Sequence, residues 1–423
     1  MKKLNAHFLN TRLGVSEIKI ICIGLLFFAI SSCNKPAKED LLLNIPAYRT
    51  DVSQAQIMNE TAITSNTELK DRVNGVDYII NNDLQVTAQL TIQPGVTIMF
   101  EEGAGITVKD DGALTAIGDA GNDMIYFLSR PGKRGSWKGI TILNNNAQNI
   151  IVYCRIEHGG GDNPYGKANL VIGDNMHHAT AQVHNNDIRT SDGTGLLLAE
   201  GSTLTWFANN DFYTNTGYPV STHITNAKVF GDGNKFSGNG KEYIELTGSG
   251  NNLIQSPITI PNIKEPFALS GQIRMGDKLT IDAGARLNMN ENARVTIDGE
   301  TGNGSLTAIG TSSQPILIQG TFSTSGLWSG IDFISSSSQL NQLEYCTVSG
   351  GGEGNDGMIN FKGSKNNSIT MRNCTIANSA TNGIYMKKNS TVYNSDIETA
   401  NIFQNNAGVN IFYDQSGTPI ETH

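Results

Sequence analysis

The feature that most constrains this chain is an internal duplication. The segment LTIQPGVTIMF at residues 90–100 is repeated in altered form as LTIDAGARLNM at residues 279–289. Further pairs keep nearly the same spacing: LTAIG at 114–118 and 306–310, WKGI at 137–140 and WSGI at 328–331, and YC at 153–154 and 345–346. The chain therefore contains two copies of one unit, and its fold has to be built from that unit twice.

Each copy contains a shorter period of its own. In the first copy, apolar residues recur in steps of 32, 24 and 24 residues, at Ile156, Ile188, Phe212 and Phe236. The residue two positions before each of them is Cys or Asn: Cys154, Asn186, Asn210 and Asn234. In the second copy the corresponding pairs are Cys346 with Val348, Cys374 with Ile376, and Ser395 with Ile397. Short strands at this period, separated by Gly, Asn and Asp turns, indicate a β-solenoid in which each coil stacks on the previous one.

Stacking places equivalent residues of successive coils about 4.8 Å apart. If the apolar residues point inward, the Asn side chains two positions earlier also do, and we expect them to form an internal ladder of amide hydrogen bonds. Cys346 and Cys374 then lie on neighbouring coils. Their side chains run parallel, which holds the Cβ atoms farther apart than the ~3.8 Å typical of a disulfide. We therefore favour buried free thiols over a bridge.

The combination of L-T-I-x-P-G, L-T-A-I-G, W-x-G-I and repeated N-x-I/F resembles the right-handed parallel β-helix proteins of the pectate-lyase-like superfamily, especially secreted or lipid-anchored bacterial members. The resemblance covers about residues 76–415. It implies an all-β fold, a right-handed parallel β-helix (β-solenoid), built from two homologous blocks of coils at residues 76–262 and 263–423. Whether the two blocks form one stack or two is left open. This scaffold hosts lyases, hydrolases, adhesins and proteins of other roles, so fold alone assigns no function.

The N-terminus predicts export. Basic residues precede the apolar run IICIGLLFFAI, which is short for a membrane span but suits a signal peptide over residues 1–32. The sequence Ile30-Ser31-Ser32-Cys33 resembles a bacterial lipobox, which implies lipidation of Cys33 and membrane attachment through the lipid anchor. We expect an outer-membrane lipoprotein of the cell envelope, exposed at the surface. An ordinary cleaved export signal is the alternative. Residues 33–75 are predicted to be a tether and an N-terminal cap.

The formal net charge of −9 argues against nucleic acid as a partner, because nucleic acids require a concentrated basic surface. A neutral polysaccharide or cell-surface glycan is not affected by this argument.

The residues just before the inward apolar positions should point outward and form a column. In the first copy the column is Arg155, Asp187, Asp211 and Lys235; in the second it is Thr347, Thr375 and Asp396. Asp187 and Asp211 are the candidate catalytic pair, because stacked carboxylates can share a proton, hold Ca²⁺, or act as the acid and base of a glycoside hydrolase. Alternatively, Arg155 and Lys235 neutralise them in a charge ladder.

Further binding candidates are polar or aromatic residues of the first copy. His184 and Asp192 lie close to Asp187 in sequence, and Trp137 is a candidate stacking platform together with Tyr165, Trp206 and Trp328. The His and Asp residues around 158–192 have spacings that a metal site allows, but any polar loop has them too. We therefore predict no resident metal, with Ca²⁺ as the one candidate ion.

The chain departs from the motifs of the superfamily's enzymes. Of the polygalacturonase motifs N-T-D, D-D, G-H-G and R-I-K, the sequence contains one D-D, at Asp110-Asp111, and the pectate-lyase R-x-P-x-x-R is absent. We therefore predict a non-catalytic glycan-binding or structural and adhesive role. The alternative is a polysaccharide lyase or glycoside hydrolase with its site on the first block.

Overall fold

A computed structural model describes residues 47–415, apart from residues 121, 122, 232 and 249. In the first half of this range the strands are β1 (Gln56–Met58), β2 (Ala62–Ile63), β3 (Thr67–Leu69), β4 (Tyr78–Ile80), β5 (Asp83–Val86), β6 (Gln89–Ile92), β7 (Thr97–Phe100), β8 (Gly105–Val108), β9 (Ala113–Ile117), β10 (Ile125–Ser129), β11 (Ile140–Ile142), β12 (Ile150–Val152), β13 (Cys154–Glu157), β14 (Ala168–Ile172), β15 (Thr180–His184), β16 (Asp187–Arg189), β17 (Thr194–Leu198), β18 (Thr203–Ala208), β19 (Asp211–Tyr213) and β20 (Val220–His223).

In the second half the strands are β21 (Ile244–Thr247), β22 (Leu253–Ile254), β23 (Ile258–Ile260), β24 (Phe267–Ser270), β25 (Gln272–Met275), β26 (Lys278–Ile281), β27 (Arg286–Met289), β28 (Arg294–Asp298), β29 (Ser305–Ile309), β30 (Ile316–Gly320), β31 (Gly330–Ile334), β32 (Gln342–Glu344), β33 (Cys346–Ser349), β34 (Gly357–Lys362), β35 (Asn367–Arg372), β36 (Thr375–Ala377), β37 (Asn382–Lys387), β38 (Thr391–Tyr393), β39 (Ile402–Gln404) and β40 (Ile411–Asp414). Short 3₁₀ helices lie at Ala47–Thr50, Ile224–Val229 and Lys388–Ser390.

Strands three apart in the chain pair in parallel, which makes a solenoid with three faces. Sheet A contains β1, β4, β7, β10, β13, β16 and β19, and sheet C contains β3, β6, β9, β12, β15 and β18. Sheet D contains β22, β25, β28, β31, β34, β37 and β40, and sheet E contains β23, β26, β29, β32, β35 and β38. Sheet B has 14 strands and runs through both copies: β2, β5, β8, β11, β14, β17, β20, β21, β24, β27, β30, β33, β36 and β39. The two copies therefore form one continuous stack.

Homologous strands of the two copies lie in different sheets, shifted by one face of the solenoid. Ile156 lies in sheet A, whereas its counterpart Val348 lies in sheet B; Ile140 lies in sheet B and its counterpart Ile331 in sheet D. At the junction, the 3₁₀ helix Ile224–Val229 follows β20 in the place where the preceding coils have a sheet C strand. Homologous outward positions of the two copies therefore do not extend one common column.

The first coil begins inside the segment predicted to be a tether and cap. Strands β1, β2 and β3 pair with β4, β5 and β6, so residues 56–69 already form a coil of the solenoid. Each of these strands contributes one buried residue, at Met58, Ile63 and Leu69. Pairing with the next coil satisfies the backbone hydrogen bonds of this stretch, so it folds as part of the solenoid.

The predicted Asn ladder is confirmed. The amide of Asn186 donates to Oδ1 of Asn210 at 3.0 Å, and the amide of Asn210 donates to Oδ1 of Asn234 at 3.0 Å. A second ladder, which the sequence reading missed, joins Asn215 to Asn239 at 2.9 Å. Asn186, Asn210, Asn215 and Asn239 are buried and Asn234 is partly buried, so most of these bonds satisfy polar groups that water does not reach.

Asn also forms the corner before several of these inward residues. Asn185, Asn209 and Asn373 have φ values of 59°, 55° and 55°. This left-handed region is disfavoured for most residues with a Cβ atom, and Asn is one of the few that tolerates it. One residue per coil can therefore turn the chain sharply from one face to the next.

The sequence assignment of the last coil is wrong. Phe403, not Ile397, pairs with Ile376, and Oδ1 of Asn401 accepts a hydrogen bond from the backbone N–H of Cys374 at 2.9 Å. Asp396 lies outside the strands and accepts a hydrogen bond from Arg372 at 2.8 Å, so it does not continue the outward column. The reading failed because an insertion between β38 and β39 shifts the period.

The cysteine prediction is confirmed for the described residues. Cys154, Cys346 and Cys374 are free and buried. The thiols of Cys346 and Cys374 donate to the backbone carbonyls of Ala308 and Leu343, at 3.2 and 3.3 Å. The hydrogen bond with the neighbouring Cys374 thiol, together with burial, raises the pKa of Cys346. These residues pack the core as small, weakly polar side chains.

Candidate functional site

The predicted outward column exists on sheet A. Arg155 pairs in register with Asp187, Asp187 with Asp211, and Asp211 bridges to Lys235. Nε of Arg155 donates to Oδ2 of Asp187 at 2.8 Å, and Nζ of Lys235 lies 3.5 Å from Oδ2 of Asp211. Each carboxylate therefore faces a cation on the adjacent coil, as in the charge-ladder alternative.

A second outward column lies beside the first and was missed. Glu157, Arg189 and Tyr213 are in register on β13, β16 and β19. Nε of Arg189 donates to Oε1 of Glu157 at 2.6 Å, and the Tyr213 hydroxyl donates to Oδ2 of Asp187 at 3.2 Å. The signal was available, since strand alternation makes the residue after each inward position point outward as well.

This charged network is largely buried. Glu157 and Arg189 are 4% and 1% exposed. Burial raises the pKa of Glu157, while Arg189 and Arg155 oppose that rise. Desolvation of buried ions is costly, and breaking one pair in such a network destabilises a protein by about 3–5 kcal/mol. The arrangement binds Asp187 firmly into the sheet, and this favours a structural role for its carboxylate.

Trp137 is not at the surface, which contradicts its prediction as a stacking platform. Its ring is 0% exposed and stacks on Phe100 with a centroid distance of 4.1 Å. Its indole N–H donates to the backbone carbonyl of Glu157 at 2.7 Å. Trp328 is buried in the equivalent way and donates to the carbonyl of Ser349. These rings fill the core at the start of a coil, because a close-packed interior leaves few voids and each large ring occupies the space at its inward position.

Trp206, in contrast, is 53% exposed on the outer face of sheet C. Ala181 pairs with Leu204 but the next residue, Gln182, pairs with Trp206, so Thr205 is the extra residue of a β-bulge. The bulge breaks the alternation of β18: Leu204 and Phe207 are buried, and Thr205 and Trp206 between them are both exposed. A bulge of this kind re-aims a side chain, and bulges are frequent beside functional sites.

The His184 ring stacks against the Trp206 ring. The two ring centroids are 3.7 Å apart with an interplanar angle of 24°. The side-chain amide of Asn185 lies 2.9 Å from Nδ1 of His184, and when it donates there Nε2 carries the proton. Burial lowers the pKa of His184, so the ring is neutral at neutral pH. The indole is thus held on a flat, uncharged support.

The column of Trp206 continues along sheet C with two polar side chains and one apolar side chain between them. Gln182, Ile150 and Thr115 follow it in register on β15, β12 and β9. Nε2 of Gln89 donates to Oγ1 of Thr115 at 3.0 Å. This face therefore presents one aromatic ring, one amide, one apolar side chain and one hydroxyl on four successive coils.

A cleft of about 430 Å³ lies on the outer side of sheet B. Its lining comes from two turns and the ends of three strands: Pro164, Tyr165, Gly173–Met176, Leu197–Glu200, Ser221–His223 and Thr247–Gly248. Nε2 of His223 lies 3.6 Å from Oε1 of Glu200. No sequence motif pointed to this cleft, because its walls come from segments more than 80 residues apart.

The remaining predicted binding residues are dispersed. Asp192 is exposed in the turn after β16, where its backbone N–H donates to the carbonyl of Gly159 at 3.0 Å. His184 lies on sheet C, whereas Asp187 lies on sheet A. The structure therefore brings Arg155, Asp187, Asp211 and Lys235 together on one face, with His184 on another face and Asp192 in a turn.

Two further predictions concern a metal site and a membrane. Within residues 47–415, where the structure describes them, no group of three His, Cys, Asp or Glu side chains is arranged to hold a metal ion. In the same part of the chain, no helix has the length and apolar character needed to cross a bilayer. The predicted signal peptide and Cys33 lie outside the described residues.

Comparison with known proteins identifies the fold. Residues 169–282 match the family model described as a right handed beta helix region. This match covers the last coils of the first copy, the junction and the first coils of the second. No curated protein and no solved structure matches the chain significantly.

Proposed function

Because this chain is a right-handed parallel β-helix protein, we propose that it is a non-catalytic glycan-binding protein of the bacterial cell surface. A lipid on Cys33 anchors it to the outer membrane, and the glycan lies along the outer face of sheet C. Each methylene of an acyl chain that enters the bilayer contributes about 0.8 kcal/mol, so several acyl chains on Cys33 hold the protein at the membrane.

The single observation that carries this proposal is the β-bulge that presents Trp206. A tryptophan that is 53% exposed on a strand leaves a large apolar face in water, unless a ligand covers it. Here the bulge turns the ring outward and His184 stacks beneath it at 3.7 Å, so the ring is both exposed and rigid. Rigid aromatic faces bind the apolar faces of sugar rings at little cost in side-chain entropy.

The neighbouring groups suit an uncharged polymer. Gln182 and Thr115 offer amide and hydroxyl groups in the same column as Trp206, which can pair with sugar hydroxyls. Because the coils repeat at about 4.8 Å, a glycan chain lying along the solenoid axis meets Trp206, Gln182, Ile150 and Thr115 in turn. Affinity then comes from several weak contacts in a row.

The alternative, a polysaccharide lyase or glycoside hydrolase with Asp187 and Asp211 as its catalytic pair, has less support. Nε of Arg155 donates to Oδ2 of Asp187 at 2.8 Å, and Nζ of Lys235 lies 3.5 Å from Oδ2 of Asp211. A catalytic acid or base must lie within hydrogen-bond reach of the substrate, whereas each of these carboxylates already faces a cation of the neighbouring coil.

Binding of the purified protein to a panel of neutral and acidic polysaccharides tests the proposal, by affinity electrophoresis and by an assay for released products. Trp206→Ala should weaken polysaccharide binding at least about 5-fold, in line with about 1 kcal/mol for an aromatic contact. Phe322→Ala, which removes another exposed aromatic ring from the second copy, should leave binding unchanged.

Loss of binding in both variants, or in neither, would contradict the assignment to sheet C. Product release that disappears in the Asp187→Ala/Asp211→Ala double variant, with folding retained by circular dichroism, would replace the proposal with the enzymatic alternative. Ca²⁺ is included and omitted in parallel samples, since the stacked carboxylates Asp187 and Asp211 on sheet A are the candidate Ca²⁺ site.

A further inference from the structure

The cleft on sheet B contains a buried donor with no hydrogen-bond partner. His223 is 4% exposed, and its Nε2 atom forms no hydrogen bond within the protein. Its nearest acidic neighbour is Oε1 of Glu200, at 3.6 Å. A buried polar atom left without a hydrogen bond is costly, and such atoms in native proteins are rare enough to require an explanation.

The hydrogen bonds of Nδ1, the other ring nitrogen, determine whether Nε2 carries a proton. Nδ1 of His223 lies 2.8 Å from Oγ1 of Thr225 and accepts from the Thr225 backbone N–H at 3.4 Å. Burial lowers the pKa of His223, so the ring is neutral near pH 7. With Nδ1 acting as the acceptor, Nε2 carries the proton and is an unused hydrogen-bond donor of a residue that lines the cleft.

The acidic lining of the cleft disfavours anionic ligands. Its ionisable lining residues besides His223 are Asp174, Glu200 and Tyr165, and the lining includes no Lys or Arg. Asp174 is held in its own turn, where Oδ1 accepts from His177 Nδ1 at 2.9 Å. The Glu200 side chain is 59% exposed and open to a ligand. A uronic acid, sulfate or phosphate group would be repelled here, because two carboxylates face it without a cation.

The cleft also has apolar side chains in its lining. Pro164, Tyr165 and Leu197 line it, and Met176, another lining residue, is 82% exposed. A ligand in this space therefore meets a mixed lining, in which polar groups contribute more surface than apolar ones. A few placed polar groups orient a ligand in such a pocket, and the apolar side chains contribute packing. A pyranose ring has the matching shape, with an apolar face and a hydroxyl-bearing edge.

We propose that the cleft on sheet B is a second, separate binding site for an uncharged sugar residue. One hydroxyl oxygen accepts from Nε2–H of His223, the neighbouring hydroxyl donates to Glu200, and the ring packs against Tyr165. This inference deepens the proposed function, on which it rests for the class of ligand, and it places a short glycan segment on a different face from Trp206.

Isothermal titration calorimetry with cellotetraose, mannotetraose, xylotetraose and trigalacturonate tests this site. At least one neutral tetrasaccharide should bind, and trigalacturonate should bind at least 10-fold more weakly. Glu200→Gln keeps the side-chain shape, removes the charge, and should weaken the neutral ligand about 5-fold, consistent with the loss of a charge-assisted hydrogen bond. Tyr165→Ala should weaken it to a similar extent through lost stacking.

Glu353→Gln is the matched control, because Glu353 is an exposed carboxylate of the second copy; it should bind like the unaltered chain. Trp206→Ala should leave the tetrasaccharide affinity within 2-fold while it weakens polysaccharide binding. If Trp206→Ala weakens polysaccharide binding but Glu200→Gln and Tyr165→Ala change no affinity, the cleft inference is wrong and the proposed function stands.

The reverse pattern, with tetrasaccharide binding lost only in the cleft variants and polysaccharide binding unaffected by Trp206→Ala, supports the cleft and refutes the sheet C platform. Tighter binding of trigalacturonate than of every neutral ligand overturns the charge argument. If no neutral tetrasaccharide binds the unaltered chain, the cleft inference is refuted.

Discussion

Asn210 is the residue at which the stability of the solenoid is most directly tested. Its side chain lies in the middle of the first ladder and takes part in four hydrogen bonds. As acceptor, Oδ1 receives the backbone N–H and the amide of Asn186, at 3.1 and 3.0 Å. As donor, Nδ2 bonds to the carbonyl of Val183 at 2.9 Å and to Asn234 at 3.0 Å.

Replacement by alanine removes all four bonds and leaves a small gap. The Asn186 amide keeps its bond to the carbonyl of Ile151 at 2.8 Å, and Oδ1 of Asn234 keeps the Asn210 backbone N–H, so part of each partner's bonding is retained. At about 1 kcal/mol net for each neutral bond, and with these partial compensations, Asn210→Ala should cost about 3 kcal/mol of unfolding free energy.

Urea denaturation measures this change, followed by the fluorescence of Trp137 and Trp328, which are buried in the first and second copies. Asn262→Ala serves as control, because Asn262 is exposed; its unfolding midpoint should not move. A solenoid can unfold in segments, so a Trp328→Phe background, which leaves the first-copy residues Trp137 and Trp206, isolates the signal of the first copy. If Asn210→Ala shifts the transition no more than Asn262→Ala does, the ladder does not contribute as argued.

Three other predictions concern chemistry along the chain. Cys154, Cys346 and Cys374 are buried and burial raises the pKa of Cys154, so these thiols should resist iodoacetamide in the folded protein and react fully in urea, as measured by mass spectrometry; rapid labelling of the folded chain would contradict their packing. Cys33→Ala should abolish incorporation of labelled palmitate and release the protein from membranes, whereas unchanged incorporation would refute the lipobox reading. Burial, with Arg134 and Arg189, lowers the pKa of His158 from 6.5 to about 4. The unfolded chain therefore binds more protons in that window, and stability falls as pH falls through it. His158→Asn, which suits the local φ of 64°, should flatten the fall of the melting temperature between pH 6.5 and 4, and an unchanged slope would show that other groups cause it.

The outward faces show where sequence reasoning was sufficient. Strand alternation and the coil period correctly placed Arg155, Asp187, Asp211 and Lys235 in one column, because both depend only on the local spacing of residues. The same reasoning gave the Asn ladder and the free cysteines. It failed at Ile397, where an insertion changes the period without leaving a local signal.

The candidate sites depend on information that is not local. Trp137 and Trp206 are both aromatic residues in strand-rich sequence, yet one is fully buried and the other is exposed. The difference at Trp206 comes from a bulge, which exists only in relation to the neighbouring strand β15. The cleft likewise requires residues 164–176, 197–200, 221–223 and 247–248 to meet on one face.

The sequence by itself therefore determined the solenoid, its duplication and its inward ladders, since these follow from a repeating pattern in which each coil contacts only its neighbours. The tertiary structure alone decided how the two copies join. The 3₁₀ helix Ile224–Val229 replaces a strand at the junction, and the second copy continues sheet B one face out of phase. That rotation, together with the bulge before Trp206 and the turns around His223, sets which side chains share a face, because it depends on how coils pack against each other.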